Sequence, residues 1–60
     1  MKRQGKLLKP GDTVILDGAY LTIIRRTSIV AEDGGRVYEV NGGWHVSIKD
    51  TARVEVDHPW

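Results

Sequence analysis

The sequence predicts an all-β fold, a small barrel of five or six short antiparallel strands. Three observations carry the all-β part. No stretch keeps a helical period for more than about two turns. Short runs rich in β-branched residues alternate apolar with polar side chains. Turn-forming groups (Pro10-Gly11, Asp17-Gly18, Gly34-Gly35, Asn41-Gly42-Gly43) separate those runs. In 60 residues a two-sheet sandwich is hard to fill. A strongly bent barrel fits better, because closure also hides sheet edges.

Pro10-Gly11 suits the central positions of a type II turn. Thr13 to Leu16 reads as a strand, and Asp17-Gly18 as its hairpin turn. Tyr20 to Arg26 is a second strand with apolar groups on both faces, which places it centrally. Leu21, Ile23 and Arg25 share one face; Tyr20, Thr22, Ile24 and Arg26 share the other. The extended pattern runs on to Ala31, with a bend or bulge expected near Arg26-Thr27-Ser28. Glu32 to Gly35 is a turn and Arg36 to Val40 a strand. Asn41-Gly42-Gly43 is the strongest hairpin signal. Trp44, Val46 and Ile48 alternate with His45 and Ser47. Lys49 to Ala52 is a short connection, expected as one 3₁₀ turn. Arg53 to Val56 closes the fold. The expected core is Val14, Leu16, Leu21, Ile23, Val37, Val46, Ile48, Val54 and Val56.

The length allows one domain. With no Cys, neither a disulfide nor a thiolate metal site can form. No apolar run approaches the roughly 18 residues of a membrane helix. Leu7-Leu8 is too short an apolar stretch for a signal peptide. The expected setting is soluble and cytoplasmic. The net charge of +1 hides an asymmetry. Residues 1–9 carry Lys2, Arg3, Lys6 and Lys9 and no acid. All the acids lie in residues 10–60, where they outnumber Arg25, Arg26, Arg36, Lys49 and Arg53. The expected organisation is a basic arm at 1–9, a barrel at 10–57 and a tail at 58–60. A basic arm on an acidic body recurs in proteins that touch phosphate backbones. It also describes a frayed, solubilising terminus.

"KPGDTVIL" before a hairpin, then "YEVNGGWHVSIKDTARVEV", resembles the SH3-like small barrels. That resemblance implies a four-strand meander, a 3₁₀ turn and a fifth strand. "PGDTV" is similar to the opening of the KOW-type modules of ribosomal and transcription proteins. Asp17 beside Gly18 departs from that pattern, putting an acid where a phosphate-binding loop prefers a cation. The small plasmid-borne dihydrofolate reductases share the barrel. Where they carry Val-Gln-Ile-Tyr, this chain has Val46-Ser47-Ile48-Lys49, so their activity does not carry over.

No catalytic motif stands out. His45 and His58 lack the further ligands a zinc site needs. No enzyme activity, cofactor, metal or small-molecule substrate is expected. The first functional expectation is a nucleic-acid-binding module. Lys2, Arg3, Lys6 and Lys9 would neutralise phosphates, while Arg25, Arg26 and Arg36 with Tyr20 and Tyr38 would form a contact face. The bland reading is half-buried tyrosines and arginines paired to acids across strands. The second expectation is a protein-interaction or assembly accessory of a phage or mobile element, in some cases oligomeric, anchored by Trp44 and Trp60. For Trp44 the bland reading is a plug in the barrel end.

Overall fold

A computed structural model describes residues 1–57. It contains six strands: β1 (Lys2–Gln4), β2 (Thr13–Leu16), β3 (Ala19–Val30), β4 (Arg36–Val40), β5 (His45–Ile48) and β6 (Arg53–Asp57). All pairings are antiparallel, in one sheet of order β1-β6-β2-β3-β4-β5. Strands β2 to β5 form a meander, and β6 returns to the free side of β2. No ladder joins β1 to β5 among the described residues, so the sheet is open.

The turns follow local chemistry. Asp17 and Gly18 both take positive φ, 49° and 78°, the pattern of a two-residue hairpin whose twist matches its strands. At Pro10-Gly11 the Asp12 N–H donates to the Lys9 carbonyl at 3.1 Å, closing the expected turn. The expected 3₁₀ turn before the last strand is absent. Lys49 to Ala52 makes a simple turn, closed by Ala52 N–H to Lys49 carbonyl at 3.1 Å. A three-residue 3₁₀ turn occurs instead at Gly5–Leu7, and Asn41–Gly43 makes a hairpin turn with Gly42 and Gly43 at φ 83° and 80°.

Strand β3 is long because it serves two partners. Ala19 to Thr22 pair with β2, and Ile23 to Val30 with β4. The register slips near Ile24 and again between Arg26 and Val30. In the second slip Thr27 is buried. Its hydroxyl donates to the Val37 carbonyl at 2.7 Å and accepts the Ile29 N–H at 3.2 Å. A side chain thus fills the gap that the irregular ladder leaves, which a buried backbone requires.

The buried core is Leu8, Val14, Ile23, Tyr38, Val40, Ile48, Val54 and Val56, with Leu16, Leu21, Val46 and Ala52 partly buried against it. Each fully buried aliphatic side chain contributes about 1.5–3 kcal/mol. Two expectations are corrected here. Val37 faces outward, and Tyr38 with Val40 faces inward. On β4 the row of Arg36, Tyr38 and Val40 offers more apolar surface than the row of Val37 and Glu39, so it takes the core.

The second correction concerns residues 1–9, which are not an arm outside the fold. Lys2, Arg3 and Gln4 pair with Glu55, Val54 and Arg53. Gly5 and Lys6 donate their N–H groups to the carbonyls of Ala52 and Asp50. Leu8 enters the core. Gly5 is pressed so close to the Lys49 carbonyl and the Ile48 side chain that a Cβ would collide with both.

Candidate interaction surfaces

The residues expected to contact phosphates do not gather into one basic face. Arg3 lies on the inner row and pairs with Asp12 at 3.1 Å, the side chains only 22% and 13% exposed. Asp12 also accepts the Lys9 N–H at 3.1 Å, so this carboxylate ties the N-terminal segment to β2. Lys2 is exposed opposite Glu55. Glu55 in turn holds the N-terminal ammonium, which lowers its pKa below the ordinary 4.5, with Lys2 adding a smaller attraction. Lys6 and Lys9 are exposed on the 3₁₀ turn and the loop after it.

On the other half of the sheet, Arg25 pairs with Glu39 at 3.2 Å across β3 and β4. Arg26 is exposed and forms no ion pair among the described residues. Arg36 is half-buried on the inner row between Val30 and Ile48, and among the described residues no acceptor reaches its Nε. Tyr38, expected as a base-stacking group, is 0% exposed and donates its hydroxyl to the Gly5 carbonyl at 2.9 Å. It cannot stack on a ligand. Tyr20 remains exposed, opposite Ile15.

Trp44, expected as a plug, is 70% exposed. Its backbone is nonetheless held. The Val40 N–H donates to the Trp44 carbonyl at 2.9 Å. The Asn41 side chain accepts the Thr22 N–H at 3.0 Å, fixing the turn to β3 where β4 ends. Gly42, at φ 83°, lies under the indole; a Cβ there would come within 3.1 Å of the ring. Thr22 is flanked on β3 by Tyr20 and Ile24, two other exposed apolar groups. A second exposed apolar pair, Ile29 and Val30, lies at the far end of β4 from Trp44. Trp60 and His58 lie outside the described residues.

The β3–β4 turn is ordered by Asp33. Its carboxylate accepts the Gly35 N–H at 2.8 Å and the Ser47 hydroxyl at 3.3 Å. The Gly35 bond chiefly, with help from Ser47 and Lys49, lowers its pKa from 3.8. Among the described residues no group of three metal-ligating side chains forms, and no pocket opens. No helix among them is long and apolar enough to cross a membrane.

Compared with known proteins, the chain matches no family model, no curated protein and no solved structure.

Proposed function

We propose that the chain is a small SH3-like barrel acting as a non-enzymatic protein-interaction module, with Trp44 as its anchor. The meander of β2 to β5, with β6 returning beside β2, supports the barrel layout. The exposure of Trp44 on a braced turn carries the functional reading. An aromatic side chain held in place before binding loses little entropy on docking, and tryptophan is enriched among residues that dominate interfaces. Tyr20 and Ile24 on the neighbouring strand extend the apolar area.

The test compares the full chain with Trp44→Ala, each immobilised and exposed to extract of the source cell at 50 and 500 mM salt (chosen conditions). A protein retained by the wild type at both salts and lost by Trp44→Ala supports the reading. Retention that ignores Trp44 or vanishes at the higher salt overturns it.

Nucleic-acid binding is the second reading, favoured by one observation: Tyr20 and Arg26 are exposed on one strand, and among the described residues Arg26 has no acid paired to it. Of the other cations expected to contact phosphates, Lys2, Lys6 and Lys9 are exposed and could join it. Four phosphate contacts would make log K fall against log salt with a slope of about −3.6 on duplex DNA. Anisotropy titrations with labelled oligonucleotides measure that slope directly.

A further inference from the structure

The β2 ladder ends at Ile23, whose N–H and carbonyl bond Asp12 and Gly11. Beyond it, residues 24–30 of β3 have β4 on one side and no strand on the other among the described residues. Every one of these residues except Thr27 is exposed. Ile29 and Val30 are 60% and 59% exposed, so apolar side chains stand open beside this edge. An unpaired edge of this kind is a template for another strand.

The charge order along this edge is self-complementary. Arg25 and Arg26 precede an uncharged, β-branched-rich run, Thr27-Ser28-Ile29-Val30-Ala31, and Glu32-Asp33 follows it at the start of the β3–β4 turn. Stacked parallel and in register, two such segments would set arginine on arginine and acid on acid. Turned antiparallel, with Ile29 at the centre, they set Arg26 of each copy against Glu32 of the other. Like charges opposed across strands repel and opposite charges attract. The pattern thus opposes open parallel stacking and favours a closed pair, in which the same patch serves both copies.

We propose that the chain forms a two-fold symmetric dimer through residues 26–32, the free edge at the end of β3 and the start of the turn after it, with Arg26 facing Glu32 of the second copy and Ile29 meeting its counterpart on the axis. The contact is one strand wide. It belongs with small, transient interfaces, and dissociation constants of about 10–500 μM are expected. It uses the opposite end of β4 from Trp44 and does not depend on the Trp44 surface.

Sedimentation equilibrium of the full chain, from about 10 μM to 1 mM, tests it around that affinity range. A monomer–dimer equilibrium is expected. Arg26→Glu and Glu32→Arg should each weaken it by about tenfold, because two attractions become two repulsions. The double variant Arg26→Glu/Glu32→Arg should restore it to within about threefold, since the pairs re-form with signs exchanged. Ile29→Lys should abolish it, and circular dichroism would verify that this variant keeps the native sheet. Trp44→Ala should leave it unchanged. A chain monomeric at every concentration overturns the proposal. So does a dimer indifferent to the single charge reversals, or one not restored by the double variant. A dimer lost in Trp44→Ala also overturns it, because the contact would then lie at the other end of β4.

Discussion

The Tyr38 hydroxyl and the Gly5 carbonyl, 2.9 Å apart, join the centre of the sheet to the N-terminal segment through the core. Tyr38→Phe leaves that carbonyl without this donor while keeping the ring. The expected loss is about 1–3 kcal/mol in urea denaturation. That is a large share of the ~3–9 kcal/mol available to a domain of this size. Gly5→Ala drives a methyl group into the Lys49 carbonyl. It should cost at least as much, because backbone has to move.

A chain beginning at Lys9 should fail to fold, as read by far-ultraviolet circular dichroism and amide exchange. It lacks β1, the Arg3–Asp12 pair and Leu8. Losing a buried leucine alone costs about 2–5 kcal/mol. A merely solubilising arm would leave the remaining fold intact.

Acid should weaken the β1–β6 edge through Glu55. The N-terminal ammonium holds its pKa below the ordinary 4.5 in the folded chain. A group with a lowered folded pKa contributes stability above its unfolded value, lost as pH falls through its folded one. Glu55→Gln removes that dependence. The stability gap between the two proteins should be open at pH 6 and narrow steadily below 4.5.

Arg36→Met should raise stability by about 1 kcal/mol, because it removes a buried Nε that has no protein acceptor and keeps the long apolar stem. Thermal unfolding of the pair measures the difference. A loss of stability would show that the guanidinium contributes more than its Nε forfeits.

Thr27→Val keeps the shape and removes the hydroxyl that serves both Val37 and Ile29. A loss of about 1–3 kcal/mol is expected. Thr27→Ser retains the hydroxyl and should recover most of it.

Much of the fold was legible because turn chemistry and alternation are local. Asp17-Gly18 announces its hairpin, and Thr13 to Leu16 and Arg53 to Val56 announce their strands. Five of the nine expected core residues are buried: Val14, Ile23, Ile48, Val54 and Val56. Strand β1 was hidden because Lys-Arg-Gln has no apolar alternation. Its place comes from pairing with β6 and from Leu8 beyond it. Tyr38 is expected on an open contact face, because tyrosine usually keeps its hydroxyl in water. Here the hydroxyl finds a carbonyl inside, and only the three-dimensional approach of Gly5 supplies that partner. The basic cluster failed for a related reason. Arg3 and Asp12 are nine positions apart with a turn between them, and the sequence gives no sign that one neutralises the other.

Asn41 and Thr27 share a consequence. At Thr22 and again at Val37 and Ile29, a side chain stands in for a main-chain partner. A main-chain ladder is chemically the same whatever residues it joins, so its extent is normally hard to change by substitution. Here the points where β3 stops following β4 are written in two individual residues. The reach of the hairpin can therefore shift through single-residue changes without insertion or deletion.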